Sequence, residues 1–256
     1  MSKILIGPAG TGGSSEKGFK IIKEKGLDCV EIEFTHSIWM RKEDAVKLGA
    51  LNKKLGLKFS IHGPYYINLA SLQDSIIIAS KSRILKCCEI GNYLGAKYIV
   101  FHAGFYQKRE PEEIYQIIKK QIQDMQKTIK AKKWNVVLAP ETTGKGSQFG
   151  SLDELIRLKK ETGCHLCVDF AHIKARNNGK IDYDEVMKKL KALDHIHAHF
   201  SGIEWTPKGE RRHLLTAVKD IKELFKYLKK YKIDITIINE SPDPLGDAIK
   251  MKKLLK

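Results

Sequence analysis

Imidazoles and carboxylates recur in this chain at the ends of short apolar runs. In order they are His62 in Ser60-Ile61-His62-Gly63-Pro64-Tyr65, His102 in Val100-Phe101-His102-Ala103-Gly104, Glu141 in Leu138-Ala139-Pro140-Glu141-Thr142, Asp169 and His172 in Val168-Asp169-Phe170-Ala171-His172, His199 in His195-Ile196-His197-Ala198-His199-Phe200, and Glu240 in Ile237-Ile238-Asn239-Glu240. A lone histidine at a strand end is ordinarily structural. A series across successive runs is not, because carboxylates gathered without a cation raise one another's pKa and cost stability. A divalent metal removes that conflict, and mixed nitrogen and oxygen ligands suit zinc, manganese or iron(II) better than calcium or magnesium.

Periodicity refines the set only in part. His195, His197 and His199 share one strand face, since side chains repeat every two residues. His199 lies nearest the C-terminal end and is the ligand candidate; His195 and His197 read as structural, and His36 and His165 carry no special placement. Cys164-His165-Leu166-Cys167 has CxxC spacing, but it has no second such pair and lies in a strand, where positions three apart face opposite ways. Buried free thiols are the expectation.

These residues need a scaffold that brings strand ends together. Eight apolar runs alternate with amphipathic stretches: Lys3–Gly7, Cys29–Phe34, Lys58–His62, Lys97–His102, Asn135–Glu141, His165–Phe170, His195–Ser201 and Ile233–Glu240. Helical periodicity occupies Gly18–Gly26, Arg41–Leu55, Ser75–Leu94, Pro111–Lys132, Leu152–Thr162, Asp184–Ala192 and Leu215–Lys230, with Gly26, Gly56, Gly95 and Gly163 as stops. Repeated β-then-α units over 256 residues, against about 250 for a typical (β/α)8 barrel, predict an α/β fold: one TIM-type (β/α)8 barrel as a single domain. In such a barrel the C-terminal strand ends converge on one mouth. The stretch Gly7-Pro8-Ala9-Gly10-Thr11-Gly12-Gly13 matches neither GxGxxG nor GxxxxGK[ST] and reads as a flexible loop near that mouth.

Hydrophobic residues make up 42% and charged residues 30%, a soluble profile. No apolar run approaches the roughly 20 residues of a membrane span, and the short strand-like start lacks the features of a signal peptide; a cytoplasmic protein is expected. The net charge of +16 has two readings. One is a solvated lysine-rich surface of the kind thermophile proteins carry; the other is a polyanionic partner such as nucleic acid.

As a set and in this order, His62-Gly63-Pro64-Tyr65, His102-Ala103-Gly104, Pro140-Glu141-Thr142, Asp169-Phe170-Ala171-His172, His199 and Glu240 resemble the endonuclease IV family of abasic-site endonucleases, part of a wider group of metal-dependent barrels that includes the sugar isomerases. The resemblance implies zinc, in two or three ions, with manganese as the substitute. It puts His62, His102 and Glu141 on the first ion; Glu141, Asp169, His199 and Glu240 on the second; and His172 on the third. It implies cleavage of DNA 5′ to abasic sites, with Glu141 and Glu240 as catalytic carboxylates and Glu240 orienting or deprotonating the attacking water. No nucleotide cofactor is needed, and a monomer is expected.

Two segments depart from the family pattern. The third-metal segment should read acid-any-His, whereas this chain has Gly209-Glu210-Arg211-Arg212-His213. Arg211 stands where the acid belongs and has no acceptor to offer a cation. Glu210 substitutes beside His213 if the loop spacing shifts; Arg211 and Arg212 are then expected to meet DNA. After the second run the family places a DNA-entering arginine, but Phe34-Thr35-His36-Ser37-Ile38-Trp39-Met40-Arg41 carries its arginine late. Trp39 is the candidate wedge between base steps, or else a core residue at a helix start. Tyr65 matches a DNA-contacting position. The competing readings are a sugar isomerase or epimerase on the same barrel, and a non-catalytic nucleic-acid-binding barrel.

Overall fold

A computed structural model describes residues 2–11 and 15–255. Gly12 and Gly13 of the expected glycine-rich loop lie outside the described residues. The barrel strands are β1 (Ile4–Pro8), β2 (Cys29–Glu33), β3 (Lys58–His62), β4 (Ala96–Phe101), β5 (Val137–Pro140), β6 (Cys167–Asp169), β7 (Ile196–Phe200) and, after a hairpin of β8 (Gly202–Thr206) and β9 (Gly209–Leu214), β10 (Ile235–Asn239). Every pairing between barrel strands is parallel. They form two half-sheets, β2-β3-β4-β5 and β1-β10-β7-β6. Two seams close the ring. At one, Ala9 bridges Glu31 and Asp28 N donates to Ile6 O at 2.9 Å; at the other, Glu141 bridges Cys167 and His165 N donates to Leu138 O at 2.8 Å. The result is one (β/α)8 barrel, as the alternating pattern predicts.

Helices α1 (Ser15–Glu24), α2 (Lys42–Leu55), α3 (Asp74–Leu94), α4 (Pro111–Ala131), α5 (Leu152–Thr162), α6 (Phe170–Arg176), α7 (Tyr183–Leu190), α8 (Val218–Tyr231) and α9 (Pro244–Leu255) surround it. Their apolar faces pack on the outward residues of the strands, as where Phe19 of α1 meets Phe59 of β3 at 4.6 Å between ring centroids. The predicted stops hold: Gly56 ends α2 at φ 70° and Gly95 ends α3 at φ 81°, a left-handed conformation that glycine adopts without penalty. Ser151 and Glu154 form a reciprocal capping box at α5, a feature that stabilises a helix by about 1 kcal/mol.

The structure differs from the pattern after β6 and β7. The amphipathic run expected over Asp184–Ala192 is preceded by the short α6, which starts directly at the end of β6 because Asp169 Oδ1 accepts from His172 N at 2.8 Å. The β8–β9 hairpin occupies a stretch with no apolar alternation, since it lies outside the barrel with one face open to solvent. All five cysteines are buried and free, as expected of thiols without a partner set. Among the described residues no helix is long and apolar enough to cross a membrane.

Alternation divides the strands cleanly. Ile61, Ile99, Phe101, Leu138, Val168, Ile196 and Ala198 face the outer core. Toward the axis the apolar contribution shrinks to Val100, Ala139 and Cys167, with Tyr98 beside them, and to Leu5 and Ile238, which pair with Thr236 and His199. The remaining inward positions are polar, and they build the site.

Candidate metal centre

Glu141, the residue after β5, is the hub. It is 1% exposed, and its Oε2 lies 3.1 Å from His62 Nε2 and 2.9 Å from His102 Nε2. Its Oε1 lies 3.0 Å from His199 Nδ1 and 3.2 Å from His172 Nδ1. His199 Nδ1 also approaches Glu240 Oε1 at 3.2 Å. Five groups of ligand atoms, each drawn within 4.8 Å, result among the described residues: His62, His102 and Glu141; Glu141, Asp169, His199 and Glu240; Asp169, His172 and His213; and, besides these, Cys167, His197 and His199, and Glu31, Glu33 and Glu240. The first two coincide with the sets the family resemblance implies.

The residues fit cations. Asp169 Oδ2 is buried with no hydrogen-bond partner, although its other oxygen caps α6; an orphaned carboxylate oxygen amid imidazoles is a ligand position awaiting a positive charge. The imidazoles are also oriented from behind. His62 Nδ1 lies 2.8 Å from Gly63 O, and His172 Nδ1 lies 2.9 Å from Thr142 O. A ring N–H donated to those carbonyls leaves each Nε2 lone pair free toward the cavity, the usual arrangement behind metal-bound histidine.

Without cations the protons take their place. Burial opposes charge on Glu141, but the imidazoles of His199 and His102 outweigh it and hold the carboxyl well below the usual range. Burial likewise opposes charge on Glu240, and His199 draws it down to about 2. Burial alone would lower His62, yet the hydrogen bond to Glu141 and the nearby Glu33 raise it to about 10. Against burial, His172 is raised well above the ordinary imidazole value by Asp169 and Glu141, and His199 by Cys167, Glu240 and Glu31. Asp169 goes the other way: burial raises it despite His172.

The β8–β9 hairpin resolves the departure at Arg211. Its register pairs Glu204 with Arg212 but Trp205 with Glu210, leaving Arg211 without a partner. Arg211 is therefore a β-bulge, one extra residue inserted into β9. In a regular strand Glu210 and His213, three apart, would face opposite sides; the bulge returns them to one side. Glu210 Oε2 accordingly lies 3.3 Å from His172 Nε2, and the His213 ring lies 5.3 Å from the His172 ring. Glu210 N donates to Gly144 O at 3.0 Å, and a Cβ on Gly144 would sit 2.6 Å from Glu210 Cβ, so Gly144 leaves room for the acid. His213 Nδ1 is held by Ser201 Oγ at 2.7 Å.

The expected DNA-facing residues divide. Tyr65 lines the same cavity of about 260 Å³ as His62, His102, Glu141, Glu210 and Glu240. Its ring packs edge-on to His62 at 5.9 Å. Trp39 is 53% exposed, fastened by Nε1 to Glu33 O at 3.0 Å, and is absent from the lining of that cavity. Arg211 and Arg212 both turn to the hairpin's own Glu204, at 2.6 and 2.5 Å, and neither lines the cavity.

Sequence reasoning missed Glu31 and Glu33 on β2. Glu31 is fully buried, with Oε2 2.8 Å from His197 Nε2 and Oε1 2.7 Å from His199 Nε2. Burial pushes Glu33 up to about 8, helped by Glu31 and Glu240 and opposed by His62. The signal was present: in Cys29-Val30-Glu31-Ile32-Glu33 the acids alternate with aliphatics that face the outer core, so both acids face the axis. A charge on the buried face of a parallel strand demands a partner.

Comparison with known proteins agrees with this architecture. Residues 19–256 match the model of the xylose isomerase-like TIM barrel family. An uncharacterised protein of Methanocaldococcus jannaschii is 36% identical over 98% of this chain and 96% of its own. A probable endonuclease 4 of Mesomycoplasma hyopneumoniae is 32% identical over 51% of this chain, a stretch that spans 47% of that relative. Endonuclease IV of Thermus thermophilus superposes with a TM-score of 0.74 at 19% identity, covering 99% of this chain and 97% of the other. A 3-keto-D-glucoside 4-epimerase of E. coli does so with a TM-score of 0.70 at 17% identity, covering 100% and 99%. At such identities the structural likeness speaks for the fold, while the sequence relatives bear out the resemblance to endonuclease IV. The chain belongs to the xylose isomerase-like TIM barrel family.

Proposed function

We propose that this protein is a zinc-dependent phosphodiesterase that cleaves DNA 5′ to abasic sites. The observation that carries the reading is the three linked ligand groups, in which Glu141 belongs to the first two and Asp169 to the last two. A single-cation site would have no use for His62, His102, His172 and His213 beyond the four residues around Glu141. Bound zinc ions supply Lewis-acid polarisation of phosphate oxygens and activate water at neutral pH.

The chain's own groups do the rest. Glu141 and Asp169 hold the ligand groups in register. Glu240, ionised at neutral pH because His199 draws it to about 2, orients the attacking water and takes its proton. Glu210 completes the third set beside His172 and His213. Tyr65 at the rim offers its hydroxyl to the substrate, and Lys145, which lines the cavity, meets phosphate charge. At about 260 Å³ the cavity falls below the roughly 300–1,000 Å³ of pockets for drug-sized ligands. That size admits a single sugar unit without a base. The net charge of +16 supports a polyanionic substrate, bound by a monomer.

The test is cleavage of a duplex carrying one abasic analogue by the zinc-reconstituted protein, against the same duplex without the lesion. Lesion-dependent cleavage that a chelator stops is expected. No cleavage, with epimerisation of a ketose by the same preparation, would replace this reading with the carbohydrate one.

A further inference from the structure

The barrel has a second opening. At the N-terminal ends of the strands, opposite the carboxylate–histidine mouth, lies a cavity of about 380 Å³, larger than the one at the metal centre. TIM barrel interiors are normally filled by layers of bulky branched side chains. Here the inward positions at this end are Leu5, Ser60, Tyr98, His195, His197 and Thr236, mostly polar, and the layer above them is Val100, Ala139, Cys167 and Ile238.

Three lysines ring the opening. Lys3 precedes β1, Lys58 begins β3 and Lys97 lies one residue into β4; all three line the cavity. Among the described residues none of their ammonium groups has a carboxylate partner. Asp234 is at this end too, but it accepts from the backbone N–H of Lys3 at 2.7 Å. All three are exposed, and together they give the opening a positive rim that attracts anions. Deeper in, His197 is 1% exposed and spends Nε2 on Glu31, while its Nδ1 is buried without a partner. With Nε2–H donated to the Glu31 carboxylate, Nδ1 is an acceptor. An occupant that brings a hydroxyl as well as negative charge would satisfy it.

We propose that this N-terminal cavity binds a small hydroxylated oxyanion of the phosphate class, either inorganic phosphate or a sugar phosphate. The ammonium groups of Lys3, Lys58 and Lys97 face its charge, Tyr98 and Ser60 donate from the wall, and His197 Nδ1 accepts from its hydroxyl. This cavity opens at the other end of the barrel from the metal centre, to which His197 is joined through Glu31, and the proposal stands whether or not the protein cleaves DNA.

The experiment is calorimetric titration of the metal-loaded protein with inorganic phosphate, ribose 5-phosphate and sulfate at neutral pH. Lys58→Gln/Lys97→Gln is compared with Lys17→Gln/Lys219→Gln, which removes the same charge from exposed positions on α1 and α8. Phosphate binding at least tenfold weaker in the first pair, unchanged in the second and surviving chelation of the metals is the expected result. So is a preference for phosphate over sulfate, since sulfate brings no hydroxyl. Tighter binding of ribose 5-phosphate than phosphate assigns the sugar ester as occupant; the reverse assigns the free anion. Equal losses in both pairs, no loss in either, or disappearance of all binding on chelation would overturn the proposal.

Discussion

Glu31 Oε1 stands 2.7 Å from His199 Nε2, on the opposite side of the imidazole from Glu141, which is 3.0 Å from Nδ1. The first approach lacks hydrogen-bond alignment, since neither atom has a partner by geometry. It is a contact between charges in the buried barrel axis. Glu31 thus fixes which ring nitrogen of His199 faces the ligand groups. Glu31→Gln keeps the volume and removes the charge. Metal affinity measured by competition with a chromophoric chelator is expected to fall about 10- to 100-fold, the usual cost of losing a carboxylate behind a ligating histidine. Wild-type affinity would show that His199 needs no such support.

Glu141→Gln tests the hub itself. Glu141 touches four histidines at once, so one change disturbs two ligand groups. Bound metal measured by elemental analysis is expected to drop by at least one ion and cleavage to vanish, with the circular dichroism of the barrel retained. Full metal content and activity would remove Glu141 from the centre.

The bulge at Arg211 makes an unusual prediction. Deleting Arg211 leaves Glu210-Arg212-His213 contiguous, so that acid and imidazole are two apart on a regular strand and still share a face. The deletion is expected to keep the metal count, whereas Glu210→Ala or His213→Ala lowers it by about one ion and slows single-turnover cleavage. Loss of metal on deletion, with no loss in Glu210→Ala, would make the bulge a feature of the hairpin alone.

Metal uptake should release protons. His62 is raised to about 10 in the metal-free protein, so near neutral pH it carries a proton that a cation must displace. Zinc affinity is therefore expected to rise with pH across the neutral range, with measurable acidification on titration. The metal-free fold has its own dependence. A raised imidazole contributes stability fully below its unfolded value of about 6.5 and loses it as pH climbs through about 10. Glu240, lowered to about 2, contributes above its unfolded value of about 4.3 and loses that contribution as pH falls through its folded value. Thermal melts of chelated protein are expected to peak between these limits. A flat profile would mean the pairs do not stabilise the metal-free state.

DNA affinity should fall steeply with salt, with a logarithmic slope of about −0.9 per phosphate neutralised. Fluorescence anisotropy between low and physiological salt gives the slope directly. A slope near zero would assign the +16 charge to surface solvation.

The barrel and most of the centre were legible in the sequence because both follow from strand period and strand-end position. His62, His102, Glu141, Asp169, His199 and Glu240 stand where parallel strands deliver side chains to one mouth. Glu31 was overlooked because it sits mid-strand within an apolar run, where attention to strand ends does not reach. The place of Glu210 could only be stated conditionally, because a bulge is a register event between two strands and a single strand's pattern does not contain it. The ion pairs of Arg211 and Arg212 were not legible for the same reason: their partner, Glu204, lies on the facing strand of a hairpin without apolar alternation. Trp39 was left between two readings, and the structure places it on the surface, outside the cavity lining.

The two half-sheets meet at a seam where Glu141 bridges Cys167. Of the second ligand group, Glu141 comes from the β2–β5 half, while Asp169, His199 and Glu240 come from the β6, β7 and β10 side. A cation held there would work as a clasp across the join, adding to the backbone bridge, the hydrogen bonds between Thr142 and Asp169 and the shared outer core that already hold the halves together. At a thousandfold excess over its dissociation constant, such a ligand adds about 4 kcal/mol to a fold that binds it only when closed. Loss of the ion would then loosen the wall of the barrel along that one line, and the carboxylate that gathers the ligands would also be the pin of the hinge.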